Sequence, residues 1–454
     1  FECLSLDTCT PSTPSNPTNP TTSPVNPPTE TSTPDLDGYT PHGRIKETTI
    51  EINLHKCKFS YLQNTNEDGG AILITFNKKV NCTINDCKFK SCSGSKGGAI
   101  SASYSKTNDY TFTIIDSSFE ECTSTDLGGA IHIISGQPLH HVFNITGCRF
   151  INNKAATGGG IYAELRDQLT INNCHFENNE ATNKGSSAYL RVGHNNIKNT
   201  VEEHDTFYIM NNVFIFTPSD NNKVNLYLDN KALTDETDVA HANVYFGGCT
   251  FSSTNANIEE YKHIEIVENE GGFETFTFNS CNCVKQGENT ISIPSTIKFE
   301  NIQFECLSLD TCTPSTPSNP TTEASTSHSA SSPTVETSSQ SSNTDVIPPD
   351  YTTQSPTDDQ CESYPNRQES VKQTIKLEKA CFFNLHSPNS VDGGAISAIN
   401  ASLELENCQF TKCSSSGNGG AIYVTFSSPD CELEIEECIF NSCSSGKFGG
   451  SIYF

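Results

Sequence analysis

TINDCKFKSCSGSKGGAI, residues 83–100, contains both halves of the pattern that decides the fold. In Thr83-Ile84-Asn85-Asp86-Cys87-Lys88-Phe89, Cys87 and Phe89 share one side of an extended chain while Lys88 takes the other. Gly97-Gly98-Ala99-Ile100 follows, a turn that leads into an apolar strand.

Both halves recur. Gly-Gly-Ala-Ile stands again at 69–72, 128–131, 393–396 and 419–422, with the variants Gly158-Gly159-Gly160-Ile161 and Gly449-Gly450-Ser451-Ile452. Ser186-Ser187-Ala188-Tyr189 reads as a degraded copy. Successive copies start 28, 31, 30 and 28 residues apart in a first array, and 26 and 30 apart in a second. The turn assignment covers Gly69, Gly70, Gly97, Gly98, Gly128, Gly129, Gly158, Gly159, Gly393, Gly394, Gly419, Gly420, Gly449 and Gly450.

Ten to twelve residues before each glycine pair comes Cys-x-Phe. It occurs as Cys57/Phe59, Cys87/Phe89, Cys148/Phe150, Cys174/Phe176, Cys381/Phe383, Cys408/Phe410 and Cys438/Phe440, with Ser117/Phe119 in the same slot. Three residues past the Phe stands Cys92, Cys122, Asn153, Asn179, Cys413 or Cys443. Leu403-Glu404-Leu405-Glu406 and Leu433-Glu434-Ile435-Glu436 alternate with period two, the signature of strands. A period near 30 residues with short strands and glycine turns describes one rung of a solenoid. The fold class expected is therefore all-β: a parallel β-helix in which each repeat is one coil and must stack on its neighbours to bury its apolar face. Equivalent residues then lie about 4.8 Å apart along the axis, so Cys and Phe form internal ladders. The sequence leaves open whether stacked cysteines are packed thiols or disulfides.

Residues 190–303 keep strand-like stretches but lose the glycine pair; Asn212/Phe214, Cys249/Phe251 and Cys281/Cys283 echo the first half-motif. These are read as irregular coils that close the array. On a larger scale, FECLSLDTCTPSTPSNPT at 1–18 returns unchanged at 304–321, a unit of 303 residues. The organisation expected is a Cys-containing end piece at 1–9, a Pro/Thr/Ser-rich linker at 10–39 and a β-helix array with its cap at 40–312. A second linker at 313–359 and a second array at 360–454 follow. The linkers hold too few apolar residues to offset the entropy of ordering, and their composition matches O-glycosylated stalks as well as bare spacers. The last repeat stops in mid-course at Phe454, so the chain reads as a fragment, with membrane attachment expected only through regions outside it.

Composition narrows the functional classes. Only 34% of residues are hydrophobic, and 54 Asp and Glu against 27 Lys and Arg give a formal charge of −27. With five Arg and no basic cluster, nucleic-acid binding is excluded, and anionic membrane surfaces repel such a chain. The 21 Cys indicate an oxidising compartment, and Cys281-Asn282-Cys283 is too tight for a zinc pair. No cofactor and no metal are expected.

Gly-Gly-Ala-Ile paired with Phe-x-x-Asn resembles the repeats of the chlamydial polymorphic outer membrane proteins, which occur also in large surface proteins of parasitic protists. Phe150-Ile151-Asn152-Asn153 and Phe176-Glu177-Asn178-Asn179 match the second motif outright, whereas most copies here end in Cys. The likeness covers roughly 45–190 and 372–454. It implies a right-handed parallel β-helix displayed on the cell surface and acting in adhesion. The Cys substitutions and the Pro/Thr/Ser linkers fit a protist surface protein better than a bacterial autotransporter.

Individual sites are few. Asn81-Cys82-Thr83, Asn144-Ile145-Thr146 and Asn400-Ala401-Ser402 are N-glycosylation sequons. The rival class is a β-helix polysaccharide lyase or hydrolase, whose nearest candidates are Arg166-Asp167 and Asp116; His140-His141 has no acidic or nucleophilic partner nearby in sequence, and Trp is absent. A purely structural spacer is a third reading. Tyr104, Tyr110 and Tyr162 are candidates for an exposed aromatic surface. The function expected is that of a cell-surface or secreted adhesin-like protein, not an enzyme. Its partner would be a host-cell or extracellular-matrix protein or glycan.

Overall fold

In the computed structural model, residues 49–306 and 362–454 are described except 65–66, 77–78, 105–109, 136–141, 166–167, 193–204, 220–222, 231–241, 255–260, 269–274, 284–290, 293–301, 365, 372 and 427–430. The end piece and both linkers lie outside these residues, as do Arg166-Asp167 and His140-His141. Every regular element described is a strand, and every pairing is parallel. The expected β-solenoid is the observed fold.

One coil shows the plan. Val80–Asn85 forms a long face, Lys88–Lys90 a Phe face, Ser93–Lys96 a short face and Ile100–Tyr104 a Gly-Gly face. Each strand pairs in register with its counterpart one coil away: Ile84 with Ile114, Phe89 with Phe119, Ile100 with Ile131. Lys88 N donates to Cys57 O at 2.9 Å, Ser118 N to Cys87 O at 2.9 Å and Ala99 N to Ala130 O at 2.9 Å, so the backbone hydrogen bonds run along the solenoid axis.

Corners follow from backbone conformation. Between the long and Phe faces, Lys56, Asp86, Asp116 and Asn173 have φ of 47–52°. Between the Phe and short faces, Tyr61, Ser91, Glu121, Asn152 and Asn178 have φ of 51–57°. These left-handed residues carry side chains at a cost of about 1 kcal/mol each because they point outward. The third corner admits only glycine. Gly97 has φ +64, and a Cβ there would meet Ile100 O at 2.1 Å. Gly98 needs no unusual φ; its Cβ would meet the carbonyl oxygen of Gly129 in the next coil at 2.1 Å. The first glycine makes the turn, and the second lets neighbouring coils approach.

The interior is a set of columns. Phe382, Phe410, Phe440, Phe59, Phe89, Phe119, Phe150, Phe176, Phe214 and Phe251 stack with centroids 4.7–5.0 Å apart. Burial stabilises by about 1.5–3 kcal/mol per Phe, and stacking adds about 0.5–1.5 kcal/mol per pair. Ile72, Ile100, Ile131 and Ile161 line the Gly-Gly face of the same interior.

The cysteine slots explain why Cys, Ser and Asn interchange. Cys87 Sγ donates to Asn85 O (3.3 Å) and Leu54 O (3.6 Å), and Cys148 Sγ to Thr146 O (3.3 Å) and Ile114 O (3.6 Å). Ser117 Oγ makes the equivalent bond to Ile115 O at 2.8 Å, and Asn212 Nδ2 reaches Ile171 O at 2.8 Å. In the second slot, Cys122 Sγ donates to Phe89 O at 3.8 Å where Asn153 Nδ2 donates to Phe119 O at 2.9 Å. The Cys and Asn side chains tie their coil to a carbonyl of the coil before it, whereas Ser117 Oγ bonds within its own coil and accepts from Cys87 N at 3.0 Å.

Several expectations are corrected. The described residues of the two arrays pair with each other. Glu432–Glu436 and Ile439–Asn441 pair with Ile50–His55 and Lys58–Ser60, so the later segment stacks beneath the earlier one. In Cys381/Phe383 the register is off by one. Phe382 occupies the ladder opposite Phe410, Phe383 is exposed, and disulfide-bonded Cys381 stands opposite Gln409. The degraded repeat also begins one residue earlier, because Ala188 pairs with Ile161 and Gly185 supplies the turn at φ +69. Asn212/Phe214 and Cys249/Phe251 do continue the ladder, as regular rungs rather than as a closure.

Candidate functional site

Two outward surfaces are the candidates, and they differ in how open they are. On the Gly-Gly face, alternation turns Ile131 and Ile133 inward and His132 outward. Register then places His132, Tyr162, Tyr189 and Tyr227 in one outward column. The His132 and Tyr162 rings lie 5.6 Å apart, and the three tyrosines stack at 5.1 Å. The next column holds Glu164, Arg191 and Asp229.

These groups bond one another, with Arg191 Nε left without a partner among the described residues. Tyr162 donates to Glu164 Oε2 at 2.8 Å, and Tyr189 donates to Asp229. Arg191 bridges Glu164 at 3.0 Å and Asp229 at 3.4 Å, and Lys184 Nζ donates to the Tyr227 hydroxyl at 2.6 Å. Burial, reinforced by the neighbouring carboxylates, pushes the Tyr162 and Tyr189 hydroxyls well above the ordinary phenol range. Burial opposes the charge on Arg191, but the acidic groups around it outweigh burial and raise its pKa. The tyrosines are only 2–6% exposed and pack on Leu127, Val224 and Val267. Tyr162 is therefore no exposed platform, and Tyr110 is buried in the core at 2%. The side chain of Tyr104 lies outside the described residues.

His132 is buried, bonds Ser101 Oγ through Nδ1 at 3.0 Å, and has no partner at Nε2 among the described residues. Burial lowers its pKa to about 3, and that of buried His263 to about 4. Both sit below the ordinary histidine value, so between these pKa values and about 6.5 the unfolded chain binds more protons. Stability from these groups is complete above pH 6.5 and falls as pH drops, by up to about 1.4 kcal/mol per pH unit for each. Urea midpoints at pH 7.5, 6 and 5 should decline in that order. His132→Gln should flatten the decline, and an unchanged slope would remove His132 as its source.

The long face is open. Glu51, Asn53 and His55 pair with Asn81, Thr83 and Asn85, then Thr111, Thr113 and Ile115. Val142, Asn144 and Thr146, then Gln168, Thr170 and Asn172, continue the same columns. All of these side chains reach solvent at least in part. The central column, Asn53-Thr83-Thr113-Asn144-Thr170, offers an amide or hydroxyl once per coil. Toward the later segment the face turns acidic with Glu404, Glu406, Glu432, Glu434 and Glu436, partly offset by Lys376–Glu404 (2.5 Å) and His55–Glu436 (3.3 Å).

The sequons fall on or beside this face. Asn81 donates to Glu51 Oε1 at 2.8 Å, Asn144 stands between Thr113 and Thr170, and Asn400 forms a corner with φ 54°. Asp116, the acid considered for catalysis, is likewise a corner residue, and its carboxylate occupies the space beside Gly147. The sequence reading missed the Thr/Asn columns, because polar residues alternating along a strand resemble any solvated face. The signal that marks them is their recurrence at fixed offsets before each Cys-x-Phe.

Comparison with curated proteins and with solved structures yields no match. The family comparison matches residues 147–164, which run from the corner before Cys148 through Phe150 and Asn153 to the Gly158 turn and Glu164. The chain thus carries, at 147–164, a Chlamydia polymorphic membrane protein (Chlamydia_PMP) repeat.

Proposed function

We propose that this is an adhesin-like surface protein that binds a host-cell or extracellular-matrix protein or glycan, rather than an enzyme. The family repeat and the parallel β-helix fit a surface repeat protein, and an extracellular or cell-surface setting accords with both. The observation that carries the binding reading is the long-face column Asn53-Thr83-Thr113-Asn144-Thr170, open and repeated at coil spacing. Donors and acceptors about 4.8 Å apart on a flat surface suit shallow contacts, which gain strength by repetition along one ligand. The tyrosine column, whose hydroxyls are engaged within its own cluster, leaves fewer groups free for a ligand.

The test is binding of the full chain to host cells and to immobilised matrix proteins and glycans, compared with a Thr83→Arg, Thr113→Arg variant. Both positions point outward, so the circular dichroism spectrum should not change. Binding should fall tenfold or more. Equal binding by the variant would remove the long face from the interaction, and no binding by the native chain would end the adhesin reading. Shortened or unsaturated oligosaccharides released from acidic polysaccharides would support the enzyme class instead.

A further inference from the structure

The arrangement of cysteines along the two interior slots exceeds what packing requires. In the first slot the order along the axis is Ala380, Cys408, Cys438, then Cys57, Cys87, Ser117, Cys148, Cys174, Asn212 and Cys249. In the second it is Leu385, Cys413, Cys443, then Leu62, Cys92, Cys122, Asn153 and Asn179. Within residues 57–179 and within 408–443, cysteines at these positions come in twos on successive coils and are then interrupted. Ser117, Asn153 and Asn212 make the same bonds to carbonyls as the thiols do, so hydrogen bonding does not call for sulfur. Pairing does.

We infer that five cross-links between successive coils are built into the solenoid: Cys57–Cys87, Cys92–Cys122, Cys148–Cys174, Cys408–Cys438 and Cys413–Cys443. The thiols are unlinked in the structure. Backbone bonds beside each pair set its two members on successive coils: Lys88 N donates to Cys57 O (2.9 Å), Thr123 N to Cys92 O (2.9 Å), His175 N to Cys148 O (2.8 Å), Ile439 N to Cys408 O (2.9 Å) and Ser444 N to Cys413 O (3.1 Å). In-register neighbours about 4.8 Å apart at Cα lie inside the roughly 4.4–6.8 Å range that disulfides span. The Cβ atoms must approach by about 1 Å and the sulfurs must release their carbonyls.

The oxidant is a small-molecule or protein disulfide. One cysteine thiolate attacks it, forming a mixed disulfide and expelling a thiolate. The partner cysteine attacks the mixed disulfide and expels the second thiolate. Two cysteine protons end on the two thiols released, so one disulfide is exchanged for another and the electrons balance. All ten cysteines are at most 2% exposed, which places the reaction during folding, before the next coil covers the pair.

The full chain, secreted from a eukaryotic host and purified without reductant, is unfolded in guanidinium with iodoacetamide, digested and analysed by mass spectrometry. The expected result is the five linked peptide pairs. Alkylation of all ten cysteines, or linkage in other combinations, would overturn the inference. A Cys148→Ser variant provides a second reading, since Ser117 already occupies the same slot and folding should persist. Among the nine remaining cysteines of the five pairs, Cys174 alone should then become alkylated while the other four pairs remain. If Cys174 is alkylated equally in the native chain, that pair does not exist.

Discussion

Phe119→Ala should lower stability by about 3–5 kcal/mol, the range for deleting a fully buried aromatic ring. The ring is completely buried and stacks on Phe89 at 4.8 Å and Phe150 at 5.0 Å, so its removal opens a gap between two coils. In a solenoid each coil is held by its nearest neighbours, and a break at this rung uncouples the coils on either side. Urea unfolding followed by circular dichroism should change from one transition toward two, with the earlier one clearly below the native midpoint. Phe119→Leu, which retains most of the volume, should cost much less. Similar losses from both variants would show that the ladder is not tightly packed.

Gly98→Ala is the smallest change with a comparable consequence. Its added methyl would lie 2.1 Å from Gly129 O, 2.5 Å from Thr123 O and 2.7 Å from Thr123 N, all backbone atoms that cannot rotate away. The coils must part there, breaking the Gly98 N to Gly128 O bond of 3.1 Å. A loss of about 3 kcal/mol or more is expected, read as a lowered melting temperature or as failure to accumulate soluble protein. Ser95→Ala, on the partly exposed short face of the same coil, should stay within about 0.5 kcal/mol. Native-like stability of Gly98→Ala would mean that the coils have more clearance than the structure gives them.

Much of the fold was legible because two independent signals, period-two alternation and a motif near every 30 residues, repeat often enough to correct each other. The errors fall where one signal was used alone. Cys381-Phe382-Phe383 satisfies Cys-x-Phe, yet the interval from the last inward residue of the long face decides the register. That interval is five from Leu54 to Phe59, from Ile84 to Phe89 and from Leu405 to Phe410, and the same count from Leu377 reaches Phe382. Alternation turned Tyr162 outward correctly, but it carries no information on what covers an outward residue. The stacking of Leu433 on Ile52 joins segments 381 residues apart, and any coil edge with the same ladder would look equally compatible in sequence. The glycosylation sequons drew attention to Asn81 and Asn144 singly, whereas their neighbours in register give the long face its meaning.

Because the backbone hydrogen bonds run parallel to the axis, a tensile load applied from end to end meets them one rung at a time rather than all together. The molecule would respond as a succession of small fuses. A coil of about 30 residues that comes away where no cross-link closes it surrenders roughly 5 Å of solenoid and pays out roughly 100 Å of slack chain. A surface attachment made through such a body would lengthen in steps under flow, dissipating force while the remaining rungs keep their grip.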